Sequence, residues 1–95
     1  MTNEEKLKSL SIYIADNYSY SKVMCVTGAE YVAFAARDLG LTSMLLYPVG
    51  NKDVATYNLY FNTAVPGGHC ACLVTFDYHT LRYDVQGGSY KIRKY

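Results

Sequence analysis

The sequence predicts an α+β domain: two N-terminal helices followed by an antiparallel sheet of about four to five strands. Three observations predict it. Apolar residues recur at helical spacing as far as Gly40 and not beyond it. From Leu41 onward, short runs rich in Val, Leu, Tyr and Phe are separated by turn residues. The chain has 95 residues, enough for a single domain spanning 1–95. A chain of this size buries only about 60–65% of the surface that its unfolded form exposes, so it holds one modest core.

The first helix is expected over about 3–16. Thr2-x-x-Glu5 has the form of a capping box, and Leu7, Leu10 and Ile14 follow at helical spacing. The polar run Asp16-Asn17-Tyr18-Ser19-Tyr20-Ser21 ends it. A second helix begins between 23 and 26 and runs to Leu39, with Ala29, Val32, Ala33 and Ala36 forming a face of small residues suited to close packing on a sheet. Its start is ambiguous: Thr27-x-x-Glu30 reads as a cap just after Cys25, whereas Ser21 as cap puts Cys25 in the first turn. Gly40 stands where a left-handed residue closes a helix.

The strands follow in order. Leu41 to Val49 is apolar and ends in turn residues. Ala55 to Asn62 alternates weakly and is rich in aromatics. Pro66-Gly67-Gly68 is a turn. His69 to Phe76, Leu81 to Gln86 and Tyr90 to Lys94 complete the sheet, with Asp77-Tyr78-His79 turning the third strand into the fourth.

Composition narrows the function classes. The net charge is +1, and the most basic stretch, Lys91, Arg93 and Lys94 in the tail, reads as a solvated final strand. Nucleic acid is not an expected partner. The start, Met-Thr-Asn-Glu-Glu-Lys, has neither the basic nor the apolar region of a signal peptide, and no apolar run is long enough to span a membrane. Three cysteines without such a signal argue for a reducing compartment and against a disulfide framework. These readings give a cytoplasmic expectation, which an excised domain of a secreted protein would also satisfy. The 11 tyrosines, with no tryptophan, suit the rim of a small core.

Three residues stand out chemically. Cys25 falls at the front edge of the second helix, where unpaired N–H groups carry partial positive charge. That field favours a thiolate, and the same N–H groups can hold an oxyanion. A lone cysteine is otherwise a small buried apolar residue. His69, just after Gly67-Gly68 and at a strand start, has the chemistry of a general base. A turn centred between Asp77 and Tyr78 puts Asp84 opposite Ala71, diagonal to His69 on one face, where a carboxylate can fix the imidazole tautomer. A turn shifted by one residue would reverse that face. Cys70 and Cys72 lie on the face opposite His69 and are expected to pack beneath the helices. Ligands split between two faces do not make a structural zinc site, so no metal and no cofactor is expected. His79, in the turn, reads as a surface residue.

These residues, in this order, resemble the transglutaminase-like superfamily of Cys-His-Asp enzymes, whose core is of the papain-like cysteine proteinase kind. The resemblance runs nearly end to end. Ile14 to Ser21 is similar to the family's helix exit with Asn-Tyr-Ser-Tyr. Cys25 and its small-residue helix closing on Leu39-Gly40-Leu41 are similar to the nucleophile helix. Gly68-His69 opening a strand is similar to the Gly-x-His-Ala-Trp strand, and Asp84 follows at about the family's interval. The chain departs from the pattern at Ala71 and Leu73, where an aromatic and an acidic residue are frequent. It also departs at Thr42-Ser43, where an Arg is frequent, and in having no Trp.

The resemblance implies catalytic Cys25, His69 and Asp84, with Tyr18 and Tyr20 as candidates for an oxyanion donor or groove. It implies cysteine-dependent acyl transfer on an amide or peptide bond through a Cys25 thioester. The substrate would be a protein or peptide, and hydrolysis is the expected outcome in so small a domain. The alternatives are a binding module that kept the fold without turnover and a murein-peptide hydrolase of the NlpC/P60 type.

Overall fold

A computed structural model gives the fold and describes residues 1–46 and 69–95. The elements run α1 (Asn3–Asn17), α2 (Cys25–Asp38), β1 (Thr42–Leu46), β2 (Ala71–Thr75), β3 (Thr80–Gln86) and β4 (Ser89–Lys94). The strands form one antiparallel sheet in the order β1-β2-β3-β4. Both expected helices are present, and so are three of the expected strands together with the first part of the 41–49 strand. The expected strand over Ala55–Asn62, the Pro66-Gly67-Gly68 turn and the end of the 41–49 strand lie outside the described residues.

The helix α1 starts as its sequence dictates. The Thr2 side chain accepts from the Glu5 N–H, and the Glu5 carboxylate accepts from the Thr2 N–H at 2.8 Å. The helix α2 starts differently from either expectation. Its N-cap is Met24, and no side chain caps it. Neither Ser21 nor Thr27 has that role, because the start of the helix is fixed by tertiary contact. The Val23 carbonyl accepts from Gly87 N–H at 2.8 Å, which pins the chain to the β3–β4 turn two residues before the helix begins. Cys25 is therefore the first helical residue. Gly40 closes the helix with φ +78°, the left-handed conformation that glycine takes without strain.

Both helices pack on one face of the sheet. Leu7 and Ile14 from α1 and Cys25, Ala29, Val32 and Ala36 from α2 meet Cys70, Cys72, Val74, Leu81, Tyr83 and Val85 in one core cluster. The small residues of α2 let it approach closely: a Cβ on Gly28 would lie 1.8 Å from the Val85 carbonyl oxygen. Alternation puts a second buried set, Ala71 and Leu73 with Leu46, on the opposite face. Cys70 and Cys72 thus pack beneath the helices, on the face expected. Among the described residues, no helix is long and apolar enough to cross a membrane.

The register of the central hairpin positions the site. Cys72 pairs with Tyr83, Leu73 with Arg82 and Thr75 with Thr80. Continued outward, this register sets Ala71 opposite Asp84 and His69 opposite Gln86. The turn is centred between Asp77 and Tyr78, and the face assignment for Asp84 follows. His79, in that turn, stacks on Phe76 and meets the Glu4 carboxylate at 3.2 Å, tying the turn to the first turn of α1.

Candidate active site

The site is built where β2 begins, β3 ends and α2 begins. His69 enters β2, and Asp84 lies on β3 facing it. Asp84 is nine-tenths covered, its side chain 12% exposed, while His69 is 37% exposed. Nε2 of His69 lies 2.7 Å from Oδ1 of Asp84. Asp84 is ionised and can only accept, so Nε2–H is the donor. The other ring nitrogen, Nδ1, then carries the lone pair and is the atom able to take a proton.

Asp84 has a second set of partners that the sequence reading did not identify. Arg82, two residues away on the same face of β3, donates Nε to Oδ2 at 3.0 Å and Nη2 to Oδ1 at 3.1 Å. Arg93 of β4 donates Nη2 to Oδ2 at 3.4 Å. Burial works to raise the Asp84 carboxyl, but the hydrogen bonds from Arg82 and His69 and the Arg82 charge outweigh it and hold the carboxyl below its ordinary value. The signal for Arg82 was present: residues two apart on a strand share a face. Arg93 needed the β3–β4 register, which pairs it with Arg82.

Cys25 begins α2 at the same end of the sheet but on its helix-covered face, whereas Asp84, with His69 bonded to it, lies on the opposite face. The fold therefore brings His69 and Asp84 together and does not bring Cys25 to them. Val23, two residues earlier, is bonded to Gly87 beyond the end of β3. Cys25 is 9% exposed as a residue and belongs to the main core cluster, so it is both a buried residue and a helix-start residue. With no side-chain cap, the N–H groups of the first turn have no helical carbonyl to bond, which leaves them as donors for an anion. Among the described residues, hydrogen bonding joins His69 to Asp84 and does not join Cys25 to His69. Tyr18, the C-cap of α1, and Tyr20 lie on the segment leading to Cys25, and both are exposed. Tyr18 packs edge-on against Tyr13.

The other two cysteines are more deeply buried than Cys25. Both Cys70 and Cys72 are fully covered, and burial pushes each up to about 12. All three cysteines are free. Among the described residues, no three His, Cys, Asp or Glu side chains gather as a metal site requires.

No family model matches this chain, and no curated protein or solved structure is found to match it. The functional reading therefore stands on the geometry and on the resemblance carried by the motifs.

Proposed function

We propose that the chain is a cysteine-dependent acyl-transfer enzyme acting on an amide or peptide bond, with hydrolysis as its outcome. The observation that carries this reading is the 2.7 Å contact between His69 Nε2 and Asp84 Oδ1, at the sheet end where Cys25 opens an uncapped helix. In the first half-reaction Cys25 Sγ attacks the carbonyl carbon while its proton passes to His69 Nδ1. The N–H groups opening α2 bond the oxyanion. The C–N bond then breaks, His69 gives its proton to the leaving amine, and a thioester remains. In the second half-reaction His69 takes a proton from water, the hydroxide attacks the thioester, the C–S bond breaks, and the proton returns to sulfur. Asp84 keeps Nε2–H in place and stabilises the imidazolium between steps. The reading requires His69 to reach Cys25 around the end of the sheet, since Asp84 and the His69 bonded to it lie on the face opposite the helices.

The experiment is turnover on a panel of amide and peptide substrates, with and without a primary amine acceptor. Loss of all activity in Cys25→Ala supports the reading. Ammonia or amine release without incorporation of the acceptor marks a hydrolase, and incorporation marks a transferase.

One observation favours a second reading, a binding module with this fold and no turnover. Cys25 is a buried residue, 9% exposed, and lacks a hydrogen bond to His69 among the described residues. Absence of any Cys25-dependent turnover across the panel would select it.

A further inference from the structure

The helix-side face of β4 is only partly covered. Tyr90, Ile92 and Lys94 pair with Val85, Tyr83 and Leu81, so they share the face on which the helices pack. The helix α1 lies against β3 and β4. Its buried side chains are Leu7, Ser11 and Ile14, whereas Glu4 and Lys8, both exposed, are the ones that stand across from β4. Charged side chains do not seal an apolar strand face, so Ile92 stays half-buried and Tyr90 is 39% exposed. Between helix and strand is a cleft of about 450 Å³, whose walls include Leu81, Tyr83, Tyr90 and Ile92 on the sheet and Glu4 and Lys8 on α1. Clefts that hold one small molecule run from about 300 to 1,000 Å³.

Tyr83 is a second, independent sign. It is fully buried, and its hydroxyl has no hydrogen-bond partner among the described residues. Buried hydroxyls are ordinarily paired, because burial takes away the bonds that water supplied. Phe would fill the same core space without that loss. Burial first, and then the Glu4 charge, raise the Tyr83 hydroxyl above its ordinary value, so it keeps its proton and is free to donate it. Glu4 is the charge that acts on it most and is itself a wall of the cleft, so the hydroxyl end of the ring is turned toward α1 and the cleft.

We propose that this cleft binds a small aromatic molecule carrying a neutral acceptor oxygen, a ketone or amide carbonyl, which takes the hydrogen bond of Tyr83. Leu81, Ile92 and Tyr90 offer apolar walls to a flat apolar body. The oxygen is neutral because a carboxylate in its place would meet the like charge of Glu4. The site lies on the helix-covered face and Asp84 on the other, so it is independent of the acyl-transfer reading and needs no reaction at Cys25.

The test titrates the full chain with three probes of one skeleton: a naphthyl methyl ketone, the matching ethylnaphthalene and the matching naphthoate. Backbone amide NMR shifts report where and how tightly each binds. The ketone should move the amides of Glu4, Lys8, Tyr90 and Ile92. It should bind about tenfold tighter than the hydrocarbon, the scale of one hydrogen bond, and tighter than the naphthoate. Tyr83→Phe should remove the ketone's advantage, leave the hydrocarbon's affinity as it was, and unfold at no lower urea concentration than wild type. Ile92→Trp, which fills the cleft, should weaken binding of every probe. No shifts with any probe, shifts elsewhere on the molecule, equal binding of ketone and hydrocarbon, or a ketone preference that survives Tyr83→Phe would overturn the inference. So would tightest binding of the naphthoate, which would make Lys8 and not Tyr83 the determinant. Shifts at the β4 amides that grow with protein concentration alone would seat a second copy in the cleft and overturn it as well.

Discussion

Gly28 and Val85 touch backbone to backbone: a Cβ on Gly28 would lie 1.8 Å from the Val85 carbonyl oxygen and 2.6 Å from its carbonyl carbon. This contact sets the height of the first turn of α2 above β3, and so the place of Cys25, three residues earlier in that turn.

Gly28→Ala should therefore destabilise the protein. In an exposed helix the change would gain up to about 1 kcal/mol from propensity. Here it should cost about 2–3 kcal/mol or more, because the obstacle is backbone and cannot swing away. Urea denaturation reads the sign directly. A more stable variant would mean that α2 does not sit on Val85 as described.

Asp84→Asn should lose stability as well as activity. The substitution leaves Arg82 with an uncharged partner and turns an amide N–H₂ toward donors. Removing one partner of a covered ion pair costs 3–5 kcal/mol when burial is complete, and about 2 kcal/mol is expected here with Arg82 partly exposed. The pH dependence has a definite sign. The folded carboxyl lies below its ordinary 3.8, so its contribution is fully present above that value and is lost as pH falls through the lower folded value. The gap between wild type and Asp84→Asn, measured by denaturation from pH 7 downward, should hold to about pH 4 and then narrow. A gap that widens in acid would reverse the assignment.

The contact between His69 and Asp84 was legible in the residues, for an identifiable reason, whereas nothing among the described residues joins Cys25 to them. Strand alternation and a turn centred on Asp77-Tyr78 fix the β2–β3 register, and that register alone brings Asp84 to His69. The start of α2 was not legible, because the Val23–Gly87 bond is a tertiary contact that overrides the local caps at Ser21 and Thr27. The clamp on Asp84 was half legible. Arg82 follows from alternation, but Arg93 requires the β3–β4 register, and its charge in a basic tail reads equally well as solvation. Nothing local in the sequence announces that Gly28 must be small, since the atom it makes room for lies in β3.

Alkaline pH should unfold the protein earlier than its net charge suggests. In the unfolded chain Cys70 and Cys72 lose their protons near their ordinary 9.0, whereas burial in the fold pushes each up to about 12. Their contribution is fully present below 9.0 and is lost between 9.0 and about 12, at ~1.4 kcal/mol per pH unit for each thiol. Tyr83, fully buried, is raised in the same sense. Denaturation midpoints at pH 8, 9.5 and 11 measure the slope, and Cys72→Val should flatten it. An unchanged slope in that variant would place Cys72 in contact with water.

The central claim is that Cys25 is a nucleophile assisted by His69. Limiting iodoacetamide at pH 6, with mass spectrometry of each cysteine, tests it most directly. The account predicts that Cys25 is alkylated first, ahead of the two fully buried thiols, and that His69→Ala slows its alkylation by about tenfold or more, since the thiolate is the reacting species. Alkylation of Cys70 or Cys72 first, or a Cys25 rate unchanged in His69→Ala, would contradict it.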